Sequence, residues 1–206
     1  MAIADDIAKA KELSLIHSKI SDLNTRIKAA IANFEQRKIS LAQDKDEEIK
    51  AFFKKALDNP EIKVVSTNDE ITGKYGNNLL YSLKINDKEK VLIKKLDSVV
   101  KAYKFKYTFS TYLPEVRSVD TLGSKTIDDV KNKEIESLEN HLQKCYHAME
   151  KLTSEGVQIE YVQMEKGELF YPSMTSEDME RFNADKYTKI NIQGLLKLIG
   201  IEEVKP

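Results

Sequence analysis

What most constrains this chain is an absence at its front: no proline occurs before Pro60 and no glycine before Gly73. A stretch free of breakers that carries apolar residues at helical spacing forms a helix. Here Leu13, Ile16, Ile20, Leu23, Ile27, Ala30 and Phe34 recur at alternating steps of three and four, the a/d pattern of a coiled-coil seam. Lys19, Asp22, Arg26, Lys28 and Glu35 fill the other faces. A helix with one apolar stripe is not stable alone in water, because packing of the stripe supplies most of its stability. Residues 1–59 are therefore expected to form an extended, coiled-coil-like helix that needs a partner. Leu13, Ile16, Ile20, Leu23, Ile27 and Phe34 are its candidate interface for oligomerisation or docking. The polar run Gln43–Glu48 interrupts the stripe and reads as a solvated stretch or a bend. Asp44 could cap a second helical piece carrying Ile49, Phe52, Phe53, Ala56 and Leu57, with Glu47 as the reciprocal partner. Asp58-Asn59-Pro60 ends the helix, since the residue before a proline is pushed out of the α region.

Residues 60–206 read as an α+β globular domain with a small antiparallel sheet of meander type. Ile62–Thr67 is short and β-branched, and a turn-rich stretch runs from Asn68 through Gly73 to Asn78. Leu79–Ile85, a polar turn at Asn86–Glu89 and Val91–Ile93 have the spacing of a hairpin. Leu92, Leu96, Val99 and Tyr103 also fit a helix over residues 88–101 capped by Asp87, so both readings stand. The clearest strand is Tyr103–Phe109, where Tyr103, Phe105, Tyr107 and Phe109 alternate with Lys104, Lys106 and Thr108, the period of a half-buried strand. A second amphipathic helix starting near Thr126 carries Ile135, Leu138, Leu142, Cys145, Met149 and Leu152. Gly156 is placed to end it in a left-handed conformation. An antiparallel pairing with part of the first stripe would cover both. Val157–Gln163, a turn at residues 165–168 and Leu169–Tyr171 suggest a C-terminal β-hairpin. Ser176 caps a short acidic helix, and Asn191–Leu198 forms another.

Chemical motifs are weak. His141 and Cys145 lie one helical turn apart, but two ligands do not make a structural zinc site. Cys145 falls on the apolar stripe, where a thiol acts as a small hydrophobe. His17 borders the first stripe and is discounted likewise. Glu48-Ile49-Lys50 and Glu61-Ile62-Lys63 have the acid-x-lysine spacing of some metal-dependent nucleases, which a lysine- and glutamate-rich chain produces by chance. Gly73-Lys74-Tyr75-Gly76 lacks the spacing of a phosphate-cradling loop and reads as a turn. No catalytic residue, metal or cofactor is assigned.

Charge gives the remaining clues. The formal net charge is −1, so no global field recruits nucleic acid or an anionic membrane. Lysines cluster locally, however: Lys94, Lys95, Lys101, Lys104 and Lys106 interleave with tyrosines, the ingredients of a single-strand nucleic-acid platform or of a contact with an acidic partner. Against this, strand alternation puts the aromatics on one face and Lys104 and Lys106 on the other. One cysteine precludes an intramolecular disulfide, and no secretory leader or spanning run is evident, so a cytoplasmic location is expected. These observations favour a non-enzymatic protein that assembles with itself or with a larger protein complex through its first helix. An assembly component or inhibitor, of the kind viruses and mobile elements encode, fits that description. Nucleic-acid binding through residues 88–106 is the alternative.

Overall fold

A computed structural model describes residues 2–96, 99–115, 133–164 and 187–201. Its elements follow in chain order. Helix α1 spans Ala2–Ala56, and five strands follow: β1 Lys63–Ser66, β2 Glu70–Tyr75, β3 Asn78–Ile85, β4 Lys90–Leu96 and β5 Val99–Phe109. Then come α2 Ile135–Lys151, β6 Val157–Met164, β7 Thr188–Ile190 and α3 Ile192–Lys197. The class is α+β. The strands form one antiparallel sheet in sequence order, β1 to β7. The chain divides into two compact units: Met1–Ser40 with Ser110–Gly156, and Leu41–Phe109 with Val157–Pro206.

The first unit is built on the heptad stripe. Ile16, Leu23, Ile27 and Ala30 are buried with Ile135, Leu142 and Cys145 of α2, and Ile20, Ile31, Leu113 and Leu138 pack around them. The pairing is parallel, where an antiparallel one was expected. Ile16 and Ile135 line one hollow, Lys19 pairs with Glu139 at 2.8 Å, and Asn24 and Ile27 share a second hollow with Asn140, His141 and Lys144. Positions on the two helices thus advance together. The Ser110 N–H donates to Gly156 O at 3.0 Å, and Thr111 Oγ1 donates to Lys151 O at 3.3 Å. Ser110 and Thr111, which follow β5, therefore lie beside the C-terminal end of α2. The start expected near Thr126 lies outside the described residues.

Gly156 does not take the left-handed conformation that the sequence suggested; among the described residues the positive-φ glycines are Gly76 and Gly200. Leu152 instead turns the chain out of α2 in an extended conformation, with φ −80° and ψ 94°. A Cβ at Gly156 would sit 2.7 Å from Ser110 Oγ, so a side chain there would oblige the serine hydroxyl to turn aside.

The second unit packs helices on one face of the sheet. Ile71, Leu83, Leu92 and Tyr103 are cross-strand neighbours in register and therefore share a face. They are buried with Ile49 and Phe53 of α1, Leu57 just after it, and Ile192, Leu195, Leu196 and Ile199 at the C-terminal side. Gly73 lies inside β2 rather than in the expected turn. A Cβ there would come within 3.1 Å of Leu57 Cδ1 and 3.2 Å of Ile62 Cγ2, so the glycine lets α1 lie close to the sheet.

The alternative of a helix over 88–101 is replaced by two strands. The hairpin joining β3 to β4 is held by Asn86, whose Oδ1 accepts the Lys88 and Glu89 N–H groups at 3.0 and 2.9 Å. β6 pairs with both β5 and β7. The expected hairpin partner Leu169–Tyr171 and the helix capped by Ser176 lie outside the described residues. α3 forms where expected: Asn191 Oδ1 accepts the Gly194 N–H at 2.7 Å. It ends in a Schellman arrangement, with Ile201 N–H on Leu196 O and Gly200 N–H, at φ 78°, on Lys197 O.

Candidate interaction surfaces

The polar run Gln43–Glu48 does not break α1, which is continuous from Ala2 to Ala56. Asp44 therefore caps nothing. Its neighbour Asp46 is turned to the sheet. Lys90 Nζ donates to both Asp46 carboxylate oxygens at 2.8 Å, and the Tyr107 hydroxyl donates to Oδ1 at 2.5 Å. Lys90 also lies over the Tyr107 ring, 5.0 Å from its centroid. Burial first, and the bond to Asp46 second, push the Tyr107 phenol far above its ordinary range. Around this anchor, Lys45 pairs with Glu48 at 2.6 Å and Lys50 with Glu47 at 2.9 Å. The run is polar because it is ion-paired and docked. No sequence signal joins Asp46 to Tyr107, sixty-one residues apart.

The residues singled out in the first stripe divide in two. Ile16, Leu23 and Ile27 are buried and Ile20 is half-buried in the cluster with α2, so this part of the stripe is covered within its own unit; Phe34 is buried as well. Leu13 is 37% exposed, and before and beside it Ile3, Ile7 and Leu15 are 77%, 51% and 72% exposed.

The five lysines do not share a face. Pairing of Tyr81 with Lys94 and of Lys94 with Lys101 puts Lys94 and Lys101 on the helix-bearing side of the sheet with Tyr81 and Tyr103. Lys95, Lys104 and Lys106 lie on the other side. Tyr103 and Phe105 are buried in the core and Tyr107 packs against it, so these rings offer no stacking surface. Lys94 lies over Tyr81, 5.7 Å from its centroid, and Lys106 lies 4.1 Å from that of Tyr187.

Cys145 is fully buried, and burial raises its thiol pKa, which makes it a poor nucleophile. His141 Nε2 is buried without a hydrogen-bond partner among the described residues. His17 is exposed. In the acid-x-lysine tripeptides, Glu48 and Lys50 are engaged within α1, Lys50 also donating to Asn68 O at 3.0 Å. Among the described residues no three His, Cys, Asp or Glu side chains converge as a metal site, and no helix is long and apolar enough to cross a membrane.

No protein-family model, curated protein or solved structure matches the chain.

A feature that the stripe did not reveal lies at the sheet edge. All four residues of β1 are exposed, including Val64 at 40% and Val65 at 42%.

Proposed function

We propose that this chain is a non-enzymatic assembly protein that pairs with a second copy of itself through the first turns of α1. The observation that carries the reading is the exposure of Ile3 and Ile7, one turn apart on one face, on a segment preceding Ile16, the point where α2 begins to cover the helix. The charge order favours self-pairing. Asp5 and Asp6 precede Lys9 and Lys11, so two such segments laid antiparallel bring the carboxylates of each copy to the lysines of the other. That is the self-complementarity a two-fold contact requires. Each isoleucine removed from water contributes about 1.5–3 kcal/mol. The segment is only about 21 Å long, so the dimer is concentration-dependent rather than obligate.

Sedimentation equilibrium is the test. The mass should rise above the 23.6 kDa of one chain as concentration increases toward roughly 200 µM. Ile3→Asp with Ile7→Asp should restore the single-chain mass without lowering the melting temperature. A wild-type chain that stays at single-chain mass throughout overturns the reading. Ile20→Asp and Ile27→Asp are unsuitable probes, because those positions belong to the core of the first unit.

A further inference from the structure

We propose that the free edge of β1 is a docking site for an extended acidic segment of a partner protein, which adds to the sheet as an eighth strand. This site lies in the second unit and is independent of self-pairing through α1.

The backbone is poised for it. Thr67 N–H donates to Glu70 O at 2.8 Å, continuing the register in which Val65 faces Thr72 and Lys63 faces Lys74. In an antiparallel ladder, residues alternate between facing the partner strand and facing away. The N–H and C=O groups of Val64 and Ser66 therefore point outward, and among the described residues nothing pairs with them. Such a row of donors and acceptors is a template for strand addition.

The side chains specify the sign of the partner. Val64 and Ser66 line a hollow with Leu57, Asn59, Ile62 and the charged Lys54, Lys55 and Asp58, in which the lysines outnumber the carboxylate. On the opposite face, exposed Lys63 stands across from Lys74. Like charges directly opposite on a sheet repel, and carboxylates on an added strand would relieve that. Lys54, Lys63 and Lys74 have no ion-pair partner among the described residues. An incoming strand with alternating side chains would place one set beside Lys54 over the apolar floor of the hollow and the other beside Lys63. The same lysines disfavour a second β1, which would bring like charges together, so this edge discriminates by charge as well as by hydrogen bonding.

The experiment titrates the isotope-labelled full chain with a capped six-residue peptide of alternating valine and glutamate, followed by amide chemical shifts. Saturable shifts at Lys63–Ser66 are expected. Ser66→Pro deletes one outward N–H without touching the ladder to β2, the one place where a strand tolerates proline, and should weaken binding about tenfold, equivalent to one hydrogen bond. Lys54→Glu with Lys63→Glu alters exposed side chains only and should abolish binding even if the proline variant unfolds. The same peptide with lysine for glutamate should not bind. The proposal is overturned if the acidic peptide leaves β1 unshifted at about millimolar concentration, or if the lysine peptide binds equally well. It is also overturned if Ser66→Pro changes the mass of the free protein, since the occupant would then be a second copy. Ile3→Asp with Ile7→Asp should leave peptide binding intact.

Discussion

One helix serves two cores, and the spacing of its buried positions differs between them. Between Ile16 and Phe34, α1 meets α2 together with Leu113, and its covered positions are 16, 20, 23, 27, 30, 31 and 34. Up to Ala30 that is a narrow seam whose average spacing of about 3.5 residues holds it against one partner helix. Between Ile49 and Leu57, α1 meets a sheet. The covered positions are Ile49, Phe52, Phe53, Ala56 and Leu57, the i, i+3, i+4, i+7, i+8 pattern of a broad face. A sheet offers a surface wider than a helix does, so the helix buries more of its circumference against it. Between the two regions lies the polar run, where Asp46 is held by Lys90 and Tyr107. A pattern change along a continuous helix marks a change of partner, and a polar interval in it need not mark a break.

The sharpest way to test that contrast is to empty each core in turn. Phe53 is fully buried in the sheet-facing cluster; Phe53→Ala should cost about 3–5 kcal/mol in urea denaturation. Hydrogen exchange should then accelerate in β2–β6 more than in α2. Ile27→Ala should produce the reverse pattern. Equal acceleration of both units by either variant would show that they unfold as one and break the comparison.

The polar anchor should come next in size. Asp46→Asn removes the charge that Lys90 and Tyr107 share and is expected to cost about 2–3 kcal/mol, the scale of hydrogen bonds to a charged group. Its partner has a pH signature. The folded Tyr107 phenol is raised above the ordinary 10.0, by burial and then by Asp46. Below that value the phenol is protonated in both states and the linked stability is intact. Above it the unfolded chain ionises while the folded one stays protonated, so stability falls as pH rises beyond about 10. Burial raises Tyr103 as well. Tyr107→Phe should therefore make alkaline unfolding shallower without removing it, read as midpoint against pH between about 9 and 11. An unchanged slope would detach Tyr107 from the effect.

The smallest change concerns the seam's rim. The Lys19–Glu139 pair is about half exposed on both sides, and water screens it. Lys19→Ala should shift stability by less than about 1 kcal/mol, with or without salt. A larger loss would mean that the parallel register depends on this pair rather than on the buried stripe.

What the sequence determined by itself was local. The missing breakers set the length of α1, alternation set β5 and Asn191 set the start of α3, because caps and periodicity act within a few residues, whereas the choice between hairpin and helix over residues 88–101 fell to the sheet. The stripe also showed that α1 needs a cover. Tertiary structure alone decided which cover each part receives. It paired α2 parallel to α1, docked Asp46 on Tyr107 and Lys90, put Gly73 in a strand and Gly156 in a close contact, and left Val64 and Ser66 on a free edge. Each of those depends on groups brought together from distant parts of the chain, and spacing along a sequence carries no record of them. The opening helix is still the proposed interaction element, but the stripe that identified it is largely spent inside the molecule. Its exposed first turns are what remain to bind.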